Sequence, residues 1–257
     1  MTLYLHTLGQ GCPVVAVHGW GLNSGVWIET QRQLSAHYRV TLVDLPGYGE
    51  SRGFEFSWQL EGVVEAVADV IAEPSVWMGW SLGGMVALAA AQRCPNKVRA
   101  LVLVASTPCF VQKPDWPHGL AGKLLQSFAD GLTQDYEATL WRFLTLQAGQ
   151  GEGARSVIKR LRRELLQGGV PEQPVLRAGL AVLQSTDLRP LLGWVQCPTL
   201  MILGQWDVLV SPASAQAVSV LRPDWQVAIL AKSAHAPFLS HQTAFLARLQ
   251  VFLDEVC

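Results

Sequence analysis

The chain has 257 residues, half of them hydrophobic and only 15% charged, with a formal net charge of −1. That length suits one large domain, or one domain with an insertion, and the low charged fraction leaves material for a large core. The near-neutral balance excludes a general nucleic-acid binder, because a polyanion partner would have to use a local basic patch.

Residues 1–6 show no basic segment followed by an apolar one, so no secretory signal is visible. Residues 3–7 can add an antiparallel edge strand. β-type runs follow at 13–17, 39–43, 75–78, 98–104, 199–203 and 225–230. Helical patterns lie between most of them, at 26–37, 58–72, 82–93, 213–221 and 243–256. Continuous Val, Leu and Ile runs alternating with amphipathic helices predict a mostly parallel sheet covered on both faces, an α/β architecture. Between residues 111 and 192 the alternation stops. That stretch holds no convincing strand, only helical segments such as 134–147 and 154–167 with Gly- and Pro-bearing joints. Trp141, Phe143, Leu144 and Leu146 give it an apolar face, which argues against a disordered linker. The expected division is a core of residues 1–110 and 193–257 and a helical cap of 111–192, seated over the strand C-termini where such sheets place their sites. No apolar run is long enough to span a bilayer. Cys12, Cys94, Cys109, Cys197 and Cys257 are scattered without a C-x-x-C and read as reduced thiols of a soluble cytoplasmic protein.

Residues 79–83 read Gly79-Trp80-Ser81-Leu82-Gly83, a G-x-S-x-G between a β-type run and a small-residue helical run. A serine lifted on a tight strand-to-helix turn has an exposed Oγ, and the N–H groups after it face developing negative charge at a helix N-terminus. A glycine-rich packing turn with an incidental serine is the plainer alternative. A serine nucleophile needs a base, and the base needs a third group to fix its tautomer. Asp207 follows the run 199–203 and His235 follows the run 225–230, which puts both in loops at strand ends and in the order Ser, acid, His. Taken singly, Asp207 is also a good turn former and His235 a plausible surface residue. Asp44 precedes Ser81 and reads as the organiser of the turn 45–49, while Asp187 and Asp224 follow no strand.

An oxyanion hole requires two preorganised donors. The Leu82 N–H is one candidate. The other is the Trp20 N–H in the loop His18-Gly19-Trp20-Gly21, with His18 orienting that loop. The segment lacks the G-x-G-x-x-G of a phosphate cradle. No metal cluster or cofactor motif is evident, and serine chemistry needs none.

These residues, with the string Asp44-Leu45-Pro46-Gly47-Tyr48-Gly49-Glu50-Ser51, resemble the α/β-hydrolase superfamily over nearly the whole chain. Residues 19–23, 79–84, 106–110, 142–147 and 234–238 resemble, more closely, the pimeloyl-[acyl-carrier protein] methyl ester esterases of biotin biosynthesis. The resemblance implies hydrolysis of the methyl ester of a pimeloyl chain carried on acyl-carrier protein, without a cofactor. It implies Ser81 as nucleophile, His235 as base, Asp207 as orienter, Trp20 and Leu82 as oxyanion hole, and Phe143, Leu144, Thr145, Leu146 and Gln147 as acyl-channel lining. Arg155, Lys159, Arg162 and Arg163 form a basic stripe opposite the apolar stripe Val157, Ile158, Leu161 and Leu165. A solvated helix face would look the same. With the resemblance, Arg142, Arg155, Lys159 and Arg160 are expected to dock the acidic carrier. Ala138 stands where a basic residue is expected, and Lys159 where an arginine is usual. The expected partners are thus the carrier with its methyl pimeloyl chain and small esters, met by a monomer. A general short-chain carboxylesterase, a carbon–carbon bond hydrolase of the same fold, and a hydrolase-fold ligand receptor are the rival readings.

Overall fold

Seven strands form one sheet in the computed structural model, which describes residues 2–54, 56, 58–150 and 153–257. In chain order the elements are β1 (Leu5–Leu8), β2 (Cys12–Val17), α1 (Ile28–Leu34), β3 (Tyr38–Val43), α2 (Leu60–Val70), β4 (Ser75–Trp80), α3 (Leu82–Arg93) and β5 (Val98–Val104). Four helices then intervene: α4 (Gly122–Gln134), α5 (Tyr136–Ala148), α6 (Ala154–Gly168) and α7 (Gln173–Ser185). The chain returns through β6 (Thr199–Gly204), α8 (Pro212–Leu221), β7 (Gln226–Leu230), α9 (Pro237–Ser240) and α10 (Gln242–Val256).

The strand order is β1-β3-β2-β4-β5-β6-β7, parallel throughout except for β1, which pairs antiparallel with β3 at one edge. Every residue of β4 and β6 is buried, as expected of strands covered on both faces, whereas the edge strand β7 keeps partial exposure. From β2 the chain moves outward to β3, then crosses back to β4 on the other side of β2. That reversal opens a crevice at the C-terminal ends of β2 and β4, where parallel sheets bind ligands.

Local chemistry sets the element boundaries. The expected helix 26–37 is divided, because the Asn23 side chain accepts from the Gly25 N–H and starts a 3-10 turn over Ser24–Trp27 before α1 begins. The helix expected from residue 134 begins at Tyr136, since the Asp135 carboxylate accepts from the Ala138 N–H at 3.0 Å and caps α5. Helices α4 and α7, absent from the sequence-based list, pack on each other and complete the insertion. Phe128, Leu132, Phe143, Leu144, Leu161, Leu176 and Leu180 are buried there, each contributing about 1.5–3 kcal/mol of hydrophobic stabilisation.

The two chain segments that join the insertion to the sheet are pinned together. Leu188 N–H donates to Pro108 O at 2.8 Å, and Cys109 and Asp187 form an antiparallel bridge. Arg189 holds Asp187 through two nitrogens, reaches Asp115, and lies over the Trp116 ring. The Arg189 guanidinium holds the Asp187 carboxyl down at about 2.

One expectation fails. Cys12 and Cys257, read from sequence as free thiols, form a disulfide with Cα atoms 5.7 Å apart. The 245-residue separation hides a spatial fact. α10 returns across the sheet to the N-terminal end of β2, where Tyr38 O–H also donates to Asp254. Cys94, Cys109 and Cys197 are free. Among the described residues, no helix is long and apolar enough to cross a membrane.

Candidate active site

Ser81 sits between β4 and α3 at φ 55°, ψ −116°, a conformation that costs a non-glycine residue about 1–3 kcal/mol. The surroundings hold it there. Ser81 N–H donates to Val104 O at 2.9 Å, and the Ser106 hydroxyl donates to Ser81 O at 2.8 Å. A Cβ on Gly79 would lie 2.1 Å from Gly83 O, and one on Gly83 would lie 2.5 Å from the carbonyl oxygens of Val17 and His18. Neither position tolerates a side chain, which explains both glycines of the motif. The same close approach brings the loop after β2 against the N-terminus of α3. Leu82, the first residue of that helix, has an N–H without an intrahelical acceptor.

Asp207 and His235 meet across the ends of β6 and β7. His235 Nδ1–H donates to Asp207 Oδ2 at 2.8 Å, with both side chains sealed from solvent. The other carboxylate oxygen accepts from the N–H groups of Leu209 and Val210 at 2.8 and 3.0 Å. With Nδ1 engaged, His235 presents its unprotonated Nε2, which is buried and bonded to no protein atom. Ser81 Oγ is therefore not in hydrogen bond with His235. A base with a fixed tautomer and a vacant lone pair can accept a hydroxyl proton once that hydroxyl swings in.

The loop after β2 is ordered by two buried polar side chains. His18 Nδ1–H donates to Gly19 O at 2.8 Å, and its Nε2 accepts from the Leu45 N–H at 3.0 Å. That pattern fixes a neutral imidazole, and burial pushes its basicity down. Asp44 accepts from the N–H groups of Ser24 and Glu50, so it ties the β2 loop to its own turn. Trp20 is buried, donates its indole N–H to Leu176 O at 2.7 Å, and meets the Phe143 ring edge-on at 4.6 Å. The insertion thereby grips the loop that carries the Trp20 N–H.

Five consecutive residues of a helix cannot share one face. Phe143, Leu144 and Gln147 point inward and are buried, with Gln147 Oε1 lacking a protein partner. Thr145 and Leu146 line a cleft that they share with Trp206, Asp207 and Val208, and the Thr145 hydroxyl donates back to Trp141 O. Arg155 and Lys159 are exposed one turn apart on α6, and Arg162, one turn on, stacks over Trp141 of α5 at 4.4 Å. Arg142 is exposed on α5 and lies over the Phe128 ring at 5.1 Å. Arg160 faces a different direction, into a crevice with Arg32 and Arg163.

Two contributors lie in strings singled out in the sequence, 79–84 and 106–110, but had no role assigned to them there. Trp80 donates its indole N–H to the His235 carbonyl at 2.7 Å, and Ser106 supports the elbow.

A family model described as the alpha/beta hydrolase family matches residues 14–249. The chain belongs to the alpha/beta hydrolase family. Three curated relatives are each named pimeloyl-[acyl-carrier protein] methyl ester esterase. The protein from Nitrosospira multiformis is 39% identical, and that from Xylella fastidiosa is 42% identical, each match covering 98% of both chains. The one from Stenotrophomonas maltophilia is 41% identical, covering 98% of this chain and 96% of its own. Among solved structures, an esterase from Exiguobacterium antarcticum superposes with a TM-score of 0.90 at 22% identity, over 98% of this chain and 95% of that one. A bromoperoxidase from Bacillus anthracis gives 0.88 at 23% identity, over 98% and 95%. At those identities the structural neighbours carry the alpha/beta hydrolase fold alone.

Proposed function

We propose that this alpha/beta hydrolase is a serine carboxylesterase that cleaves the methyl ester of a pimeloyl chain carried on acyl-carrier protein, giving the free ω-carboxylate and methanol for biotin biosynthesis. One observation carries the reading: end-to-end relatives at 39–42% identity share that name. The buried Asp207–His235 pair beside a strained Ser81 elbow supplies the chemistry the name requires.

Ser81 Oγ attacks the ester carbonyl as His235 Nε2 takes its proton. The Leu82 and Trp20 N–H groups hold the oxyanion, and His235 then returns the proton to the departing methoxide. Water, deprotonated by the same nitrogen, attacks the acyl-enzyme and releases the acid and Ser81. Asp207 keeps Nδ1 protonated throughout and stabilises the imidazolium. The inward side chains Phe143, Leu144 and Gln147 border the acyl chain, and 111–192 serves as the lid. Arg142, Arg155 and Lys159 meet the acidic carrier outside, so the distal ester reaches Ser81 while the thioester stays near the mouth. The reading is of a monomer.

Intact-mass spectrometry of methyl pimeloyl-acyl-carrier protein after incubation tests this directly. The expected product has lost one CH2 and kept its thioester, and Ser81→Ala yields none. Thioester cleavage, or turnover of short esters with none of the carrier substrate, would move the enzyme to a general carboxylesterase.

A further inference from the structure

Helix α7 approaches the loop after β2 where two glycines leave room. Gly179 is a buried position inside α7, although alanine is the better helix former. Its surroundings give the reason. A Cβ on Gly179 would lie 2.7 Å from Trp20 Cδ1, 3.2 Å from Trp20 Nε1 and 3.0 Å from the Tyr48 hydroxyl oxygen. One turn earlier, Val175 meets the turn that carries Tyr48, since a Cβ on Gly47 would lie 2.6 Å from a Val175 methyl. Next to Val175, Leu176 O accepts from the Trp20 indole N–H at 2.7 Å.

A ring seated this way can aim a main-chain donor. Trp20 stands between Gly19 and Gly21, and Gly21 has φ 77°, a conformation open chiefly to glycine. Glycines on both sides leave the peptide free to turn, so the local backbone does not by itself fix the direction of the Trp20 N–H. The side chain supplies the missing constraint. Only two torsions separate an indole from its main chain. Here the indole is fully buried, tied at Nε1 to Leu176 O, and met edge-on by Phe143 at 4.6 Å. Tyr48 closes the remaining space. It is buried, lies edge-on to His18 at 5.1 Å, and is held neutral because burial pushes its phenol well above the ordinary pKa. We propose that α7 positions the oxyanion hole: Leu176 O latches the Trp20 indole, and the missing side chain of Gly179 lets the ring seat, which turns the Trp20 N–H towards Ser81. The inference rests on the serine-esterase reading and adds Gly179 to it as a positioning residue acting through Trp20.

The test is steady-state hydrolysis of dimethyl pimelate by wild type, Gly179→Ala, Trp20→Phe and the double variant, with Ser81→Ala as control. Inhibition by an alkyl trifluoromethyl ketone, whose adduct with a serine carries the oxyanion, is measured alongside, and urea denaturation reports stability. Gly179→Ala should lower kcat about tenfold, as expected for a displaced catalytic group, with KM within about twofold of wild type. The ketone should bind more weakly by the same factor as kcat, and the urea midpoint should not fall, because alanine favours the helix. A phenylalanine at position 20 cannot donate to Leu176 O. Trp20→Phe should therefore lose a similar factor, and adding Gly179→Ala to it should cost less than about threefold more, since the latch is already gone. An unchanged kcat in Gly179→Ala would overturn the proposal. So would a loss confined to KM, which would make Gly179 a determinant of substrate fit, or independent, multiplicative losses in the double variant. Wild-type turnover by Ser81→Ala would overturn the serine-esterase reading and this inference with it. Wild type that hydrolyses dimethyl pimelate but not the carrier-borne ester would end the carrier reading alone, because the oxyanion comparison is made on the small ester.

Discussion

Trp80 and His235 are 155 residues apart, yet the Trp80 indole N–H donates to the His235 carbonyl at 2.7 Å, and the two rings lie 5.7 Å apart. The residue before the proposed nucleophile thus holds the backbone of the proposed base. Trp80 also meets Phe238 edge-on at 5.1 Å, and a Cβ on Gly19 would come within 3.0 Å of its ring, so one side chain bridges the loop after β2 and the segment that carries His235.

Trp80→Phe keeps an aromatic ring but strands a buried carbonyl, at a cost of about 1–3 kcal/mol. We expect urea denaturation to show a loss in that range and kcat to fall about tenfold, since the loop carrying His235 loses its tether. Unchanged kcat with reduced stability would show that the bond only supports the fold.

Asp207→Asn tests the tautomer argument separately from burial. An asparagine can still accept from Leu209 and Val210 but offers His235 an amide in place of a carboxylate. A fall of about 10⁴ in kcat is expected with little change in KM, and Ser81→Ala should fall at least as far. Ester hydrolysis rates over a concentration series check both. Losses that appear mainly in KM would assign Asp207 to binding.

His18 predicts a pH dependence of stability. Burial holds its basicity below the ordinary value, with the Asp44 carboxylate opposing in part. An unfolded imidazole takes up its proton near ~6.5, so below that pH the unfolded chain binds a proton the folded chain refuses. The contribution is complete above the unfolded value and is lost as pH falls from there towards the folded one. Thermal melts at a series of pH values should show Tm dropping across that window in wild type and dropping less in His18→Gln. Parallel curves would remove His18 from the explanation.

The Cys12–Cys257 bond closes nearly the whole chain into a loop, and such cross-links typically stabilise by about 2–4 kcal/mol. It lies at the N-terminal end of β2, the end of the sheet away from Ser81. Dithiothreitol should therefore lower the Tm of oxidised protein and leave kcat unaltered, and Cys257→Ser should show the lower Tm with or without reductant. A Tm indifferent to reductant would contradict the pairing.

Much of the layout was readable in the chain because it depends on local patterns. Apolar strand runs, the G-x-S-x-G turn, and the positions of Asp207 and His235 after two such runs are properties of short windows. The observed strands β4, β5 and β6 fall on the runs that predicted them. Long-range facts were not readable. The Cys12–Cys257 bond, the Trp80 tether and the Arg189–Asp115 ion pair each join segments whose meeting is decided by how the chain returns to the sheet. Residues 143–147 differ among themselves in burial. Within that string Phe143, Leu144 and Gln147 are buried, whereas Thr145 and Leu146 line a cleft with Asp207, a difference that follows from the helical turn and not from the residue types.

The claim at the centre of this account is that Ser81 is a nucleophile activated by His235. The most direct measurement is labelling of the intact protein with a fluorophosphonate, followed by peptide mapping. A single adduct on Ser81, strongly slowed in both His235→Ala and Asp207→Asn, is the predicted result. An adduct on another residue, or labelling of Ser81 at the wild-type rate without His235, would contradict it.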